Sequence, residues 1–296
     1  MPHDGPLPHT SQTAAILDSS SLRGNLVASE RRYRNYQRDQ STPNRPSKVA
    51  LAFMAGLELL GADEVRRTVV TFRDAMRAHA PGINRLNVYP VPDGDTGTNM
   101  SRTLDAVVAE LEGAGPEMDA TCKAISHGSL MGARGNSGVI LSQILRGMVA
   151  TINESSDGKV NAARMADALK RASAAAYEAV LKPIEGTILT VVREAADGAA
   201  AAAVGGATLS ATLQAARTAG RDALARTPDL LPVLKDAGVV DAGGAGFLLL
   251  LDSAIHVVDG EPMPEPDESA GPSADQLEAV AKRHHDDGSV DDGSVL

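Results

Sequence analysis

From Val49 onward apolar residues return every three or four positions, the period of a helix with one buried face. Leu51, Met54, Leu57, Leu59 and Leu60 predict a first helix ending at Gly61. Val65, Val69, Phe72 and Met76 predict a second, capped by Asp63 and ending near Ala80-Pro81-Gly82. Further helices are predicted from about Thr98 to Leu111, Met118 to Met131, Val139 to Met148, Asn161 to Leu181, Pro183 to the alanines at 199–203, and Leu209 to Arg226. A turn with a short helix follows over Asp229–Gly238, and Phe247–Val258 reads as the last core helix. No stretch reads as a strand. About eight helices with short connections predict an all-α, antiparallel up-and-down bundle or barrel. Residues 1–46 are rich in Ser, Pro, Arg, Asn and Gln without periodicity, and predict a disordered N-terminal extension. The helical domain then covers 47–260, and 261–296 predicts a disordered acidic tail.

Composition says how such a core is built. Hydrophobic residues make up 43% of the chain but aromatics only 2%, with no Trp. Ala, Leu, Val and Ile must therefore fill the interior, and small side chains let helices approach closely. The net charge of −10 is uneven: the segment 261–296 carries −8, residues 1–46 carry +2, and the helical body about −4. No basic, aromatic-laced surface suggests nucleic acid as a partner. No run approaches the ~20 apolar residues of a membrane span; Phe247–Val258 is interrupted by Asp252, Ser253 and His256. The first residues lack the apolar core of a secretory signal. With a single cysteine, Cys122, no internal disulfide framework exists. The expectation is a soluble protein of the cytoplasm.

One segment breaks the helical pattern hardest: Asn87-Val-Tyr-Pro-Val-Pro-Asp-Gly-Asp-Thr-Gly-Thr-Asn-Met100. Pro90 and Pro92 hold it extended, while Gly94 and Gly97 permit a tight fold around Asp93 and Asp95. Thr98 or Asn99 is expected to cap the next helix. Paired carboxylates on a rigid loop at a helix start suit divalent cations with a phosphate. An EF-hand fails, because its fifth and twelfth positions fall on Gly97 and Leu104. An Asx-turn before a helix is the bland alternative.

The second special turn is Gly132-Ala-Arg-Gly-Asn-Ser-Gly138. It lacks the Lys-Ser/Thr of a Walker A loop and the pattern of a nucleophile elbow around Ser137. What remains is a turn rich in N–H groups, with Asn136 and Ser137 as expected N-caps: a cradle for phosphate or ribose, or simply a capped helix start. Gly186-Thr187 and Asp241-Ala-Gly-Gly244 place a hydroxyl or carboxylate ahead of two more helices. In an up-down bundle, alternate helix starts share one end, so these turns are expected to converge. His79 and His127 have no metal-spaced partners, His284-His285 reads as part of a solvated tail with weak metal binding as the alternative, and Cys122 reads as packing.

These motifs, with Lys182-Pro-Ile-Glu-Gly-Thr-Ile-Leu-Thr-Val-Val-Arg-Glu194 and Ala237-Gly-Val-Val-Asp-Ala-Gly-Gly244, resemble the dihydroxyacetone kinase L-domain superfamily. Within it they look most like the N-terminal nucleotide-binding domain of the bacterial fatty acid kinase A subunit. The resemblance covers about residues 50–260 and implies an eight-helix antiparallel barrel binding ATP and two Mg2+ ions at one end. It implies Asp93 and Asp95 as catalytic metal ligands, with Asn87 near the place of a third Asp in dihydroxyacetone kinases. Thr96, standing where those enzymes have His, joins Thr98, Asn99, Gly135, Asn136, Ser137, Gly138, Thr187 and Asp241 as implied nucleotide-binding residues. The implied activity is ATP-dependent phosphorylation of a fatty acid carboxylate presented by a lipid-carrying acyl-binding partner. A dihydroxyacetone kinase L-type subunit and a non-catalytic nucleotide-binding module are the alternatives, and a homodimer is a candidate assembly.

Overall fold

In a computed structural model the residues described are 57–266, and among them stand eight long helices and one short one. They are α1 (Ala62–Leu86), α2 (Thr96–Gly113), α3 (Met118–Gly132), α4 (Gly135–Asn153), α5 (Ala162–Glu178), α6 (Ile188–Val204), α7 (Leu209–Leu230), α8 (Pro232–Ala237) and α9 (Ala242–Asp259). The expected all-α architecture is what forms. The extension 1–46, the start of the first expected helix and residues 267–296 lie outside the described residues.

The buried face of α1 is the predicted stripe continued one step further: Val65, Thr68, Val69, Phe72, Ala75, Met76 and then Ile83. That last residue explains why the helix does not stop at Ala80. Pro81 is exposed, so its ring faces outward while Ile83 stays anchored in the core. The cap also differs from expectation: Gly61, not Asp63, is the N-cap, and its N–H donates to Glu64 Oε2 at 2.8 Å. The helix expected to end at Gly61 is absent over Leu57–Leu60. There the chain bends at Glu58 and Leu59 and then forms a reciprocal antiparallel bridge between Leu60 and Val160 at 2.9 Å each way. Coiling would have turned Leu60, 2% exposed, away from this seat between the starts of α1 and α5.

The long helices close into a ring: α1 packs on α2, and so on in chain order to α7, which packs on α9, which returns to α1. Helical glycines bring neighbours close. A Cβ on Gly128 would lie 2.8 Å from Val107 Cα, and one on Gly147 would lie 2.7 Å from the Arg171 carbonyl. This is how a core nearly devoid of aromatics is filled. Helix α9 is the most enclosed, burying every residue from Phe247 to Ile255. It is the one described helix long and apolar enough to cross a membrane, and 72% of it lies inside the fold. Its Asp252 is buried against Arg217 at 3.2 Å and Arg221 at 2.9 Å on α7.

The tail does not begin free at 261. Glu261 accepts from Arg217 at 2.8 Å, His256 donates to the Glu261 carbonyl at 2.7 Å, and His79 donates to the Pro264 carbonyl at 3.0 Å. Residues 261–266 are thereby strapped to the helical ring.

Candidate functional site

The acidic loop hangs between two helices that clamp it from both sides. Helix α1 ends as Asn87 leaves helical geometry (φ −76°, ψ 94°), its N–H bonded to the Asn84 carbonyl at 3.2 Å. Asn87 is buried, and its Nδ2 donates to Asp93 Oδ1 at 2.6 Å. The buried amide thus aims an exposed carboxylate. Between them the Tyr89–Pro90 peptide is cis, and Gly94 takes φ +67°, which brings Asp95 round to the start of α2.

Asp95, rather than Thr98 or Asn99, is the N-cap of α2, and its carbonyl accepts the Asn99 N–H at 2.8 Å. Its carboxylate does not cap the helix. Burial pushes the Asp95 carboxyl above its ordinary value; a hydrogen bond from the Asn99 side chain opposes this, and the adjoining Asp93 carboxylate adds to the rise. Two carboxylates that repel in this way are poised for a cation. Capping falls instead to Asn84, from across the loop: Thr98 N–H donates to Asn84 Oδ1 at 3.1 Å, and Asn84 Nδ2 donates to Thr98 Oγ1 at 2.9 Å.

The second turn sits directly on this helix start. Gly135, at φ +57°, presses against the side chain of Asn99, leaving no room for a Cβ. Gly138 lies equally close to Thr103, whose hydroxyl donates to the Asn99 carbonyl at 2.8 Å and accepts from Arg134 N–H at 3.3 Å. Arg134 is the N-cap of α4, displacing the expected Asn136 and Ser137 into the first helical turn. A guanidinium has no acceptor to offer that turn, and this one donates back to the Met131 and Ala133 carbonyls. The helix starts of α2 and α4 therefore stand side by side, neither capped by its own N-cap side chain.

The third and fourth turns share that end of the ring. Thr187 caps α6 and Asp241 caps α9, whose carboxylate accepts from the N–H groups of Gly244, Ile188 and Gly243. Asp241 thus joins the starts of α6 and α9. Gly246 then joins α9 to α2, lying 2.8 Å from Met100 Sδ at the position of its missing Cβ. All four starts converge as expected, but in two different ways. Asp93, Asp95, Thr98, Gly135, Asn136 and Ser137 are at least partly exposed, whereas Thr187 and Asp241 are 8% and 7% exposed, their side chains bonded to backbone. Burial outweighs the three N–H donors and pushes the Asp241 carboxyl up to about 6.

Elsewhere, Cys122 is buried and its thiol is pushed up to about 12 by burial, which leaves it a packing residue. No group of three or more His, Cys, Asp or Glu side chains gathers among the described residues. The acidic loop therefore offers a cation two carboxylates and an amide oxygen. That set suits a hard ion completing its shell with water and phosphate.

Residues 90–256 match the DAK2 domain family, from inside the acidic loop to the last turns of α9. The chain belongs to the DAK2 domain family. Protein YloV of Bacillus subtilis (strain 168) is 42% identical over 212 residues, covering 70% of this chain and 36% of YloV. An uncharacterized protein of Staphylococcus aureus (strain bovine RF122 / ET3-1) is 42% identical over 180 residues, covering 60% of this chain and 32% of that protein. The chain thus spans about a third of the length of these relatives. Among solved structures, the dihydroxyacetone kinase from C. freundii in complex with AMP-PNP and Mg2+ aligns over 85% of this chain and 38% of that one, at 15% identity and a TM-score of 0.46. The DAK2 match includes Asp93 and Asp95 but begins after Asn84 and Asn87, the two amides that hold the loop.

Proposed function

We propose that this DAK2 domain binds ATP with two Mg2+ ions at the joined starts of α2 and α4. There it transfers the terminal phosphoryl group to a fatty acid carboxylate brought by a separate acyl-binding protein, giving an acyl phosphate and ADP. The observation that carries the reading is the placement of Asp93 and Asp95 beside two adjacent helix starts, neither of which is capped by its own N-cap side chain. An oxygen-only donor set fits magnesium, and converging N–H groups fit phosphate.

Asp93 and Asp95 would hold the metal ions, with Asn87 Oδ1 available as a third ligand atom while its Nδ2 stays on Asp93. The Thr96 N–H and the Thr98 hydroxyl face the phosphates from α2 and the Gly135–Asn136–Ser137 turn faces them from α4, while the N–H groups of Thr98, Asn99 and Gly138 are held by Asn84 Oδ1 and by the Asp95 and Arg134 carbonyls. Thr187 and Asp241 act from beneath, fixing the starts of α6 and α9. Bound magnesium supplies neutralisation of phosphate charge, the main requirement of phosphoryl transfer. The fatty acid acceptor rests on the resemblance of the Lys182–Glu194 and Ala237–Gly244 motifs to the fatty acid kinase branch, and the cytoplasm is the compartment we propose for the domain and its partner.

The test is calorimetric ATP binding with and without Mg2+, for the wild type and Asp93→Ala, followed by transfer assays. Mg-ATP at ~100 times its dissociation constant should stabilise the wild type by about 2.7 kcal/mol, and the variant far less. Turnover that survives Asp93→Ala removes the site. Transfer to dihydroxyacetone, and none to an acyl-loaded partner, would assign the glycerone kinase activity instead. Binding without transfer to either acceptor would leave a regulatory module.

A further inference from the structure

Asn84 lies in the last turn of α1, outside both the acidic loop and the matched family region. Its two hydrogen bonds to Thr98 fix more than a cap. A backbone N–H can only donate, so the atom 3.1 Å from Thr98 N is the amide oxygen of Asn84. The other atom, 2.9 Å from Thr98 Oγ1, is then the NH2 group, which can only donate. Thr98 Oγ1 is therefore an acceptor in this contact, and its own hydrogen must point elsewhere. Thr68, Thr103 and Thr218 turn their hydroxyl hydrogens onto the carbonyl four residues back, at 2.9, 2.8 and 2.9 Å. For Thr98 the residue four back is Gly94, which precedes the helix. Asn84 is also tied to the loop through its backbone. Its carbonyl accepts the Asn87 N–H at 3.2 Å and lies 3.7 Å from the position of a Cβ on Gly94.

We infer that Asn84 is a positioning residue that sets the polarity of the Thr98 hydroxyl, so that Thr98 donates to an anionic oxygen at the start of α2. On the reading above, which this inference assumes, that oxygen belongs to the phosphates of Mg-ATP. Asn84 itself touches no substrate. It acts by occupying the acceptor side of Thr98 and leaving the donor side outward.

Three substitutions separate this from a purely structural role, with the dissociation constant of Mg-ATP and the nucleotide-free melting temperature both measured. Thr98→Ser keeps the hydroxyl and should bind within about twofold of wild type. Thr98→Val keeps the backbone cap but loses the donor, and should weaken binding about tenfold or more, the usual effect of a hydrogen bond to a charged group. Asn84→Asp still accepts the Thr98 N–H, but its carboxylate takes the hydroxyl hydrogen and turns lone pairs toward the anion. It should weaken binding comparably on its own, and by under twofold when added to Thr98→Val. If Asn84→Asp weakens binding by the same factor in both backgrounds, added charge rather than hydroxyl polarity is the cause, and the inference falls. It falls also if Thr98→Val lowers the melting temperature but leaves affinity unchanged while Asp93→Ala abolishes binding; the nucleotide site would then stand without it. Absence of Mg-dependent ATP binding in the wild type would overturn both.

Discussion

Asp241 is a carboxylate buried beneath the candidate site, receiving three backbone N–H groups at the joined starts of two helices. Burial raises it to about 6 from an ordinary value near 3.8, so the folded protein holds a proton there that the unfolded chain has released. A raised carboxyl favours folding in acid, and that contribution is lost as pH climbs from about 4 through about 6. Asp241→Asn keeps one acceptor oxygen for the caps and cannot ionise. Relative to wild type, the variant should gain stability on the order of 2 kcal/mol between pH 4 and pH 7, read from urea denaturation at the two pH values. An unchanging difference would mean the carboxylate is solvated. The residue was visible in the sequence as a carboxylate before a Gly-Gly pair, and so was its place at a helix start. Its role was not, since burial under α6 and the bond to Ile188 N–H come from a segment more than fifty positions away. The same holds for Asn84: nothing local marks a residue that caps a helix fourteen positions later.

At the scale of elements, periodicity found every long helix among the described residues, and packing set their ends. Helix α1 runs through Pro81 because Ile83 extends the buried stripe, whereas α7 runs through Pro228 to Leu230 with its last buried residue, Thr227, just before the proline. The junction of α1 and α2 is tight. A Cβ on Gly97 would fall 2.6 Å from the Ala80 carbonyl oxygen and 2.8 Å from its Cα, both rigid backbone atoms. Ala is intrinsically the better helix former by about 1 kcal/mol. Overpacking against backbone costs about 1–3 kcal/mol, and here it wins. Gly97→Ala should therefore destabilise the fold, lower the urea midpoint at unchanged slope, and weaken Mg-ATP binding by pushing the acidic loop outward. Gly113→Ala at the far end of α2, where nothing lies within 4 Å, should stay within about 0.5 kcal/mol of wild type. If the two variants behave alike, close packing does not hold the loop.

The whole molecule depends on closing the ring between its last and first long helices. Helix α9 carries much of the apolar contact, but Asp252 places a charge at the α7–α9 seam, between Arg217 and Arg221. Glu261 binds Arg217 from the strap that follows α9. Removing Asp252 leaves Arg217, whose side chain is 13% exposed, short of one of its two carboxylates. Asp252→Ala should cost about 3 kcal/mol, the low end for breaking a buried pair, because Arg221 is half exposed and keeps its hydration. A loss under about 1 kcal/mol in chemical denaturation would assign closure to apolar packing alone.

By itself the sequence determined the helical class, the order of the long helices, the non-helical acidic loop and the four glycine turns. These follow from local physics: the 3.6-residue period, the φ limits of proline and the freedom of glycine. It also determined family membership, because the motifs in the acidic loop and the Gly132–Gly138 turn are contiguous. Only the tertiary structure decided which turns touch, which carboxylate caps and which stays free, and which residues hold the loop. Those outcomes depend on contacts between segments far apart in the chain: Asn84 with Thr98, Asn99 with Gly135, and Asp241 with Ile188. Such contacts arise only when the ring closes, and no spacing along the chain encodes them.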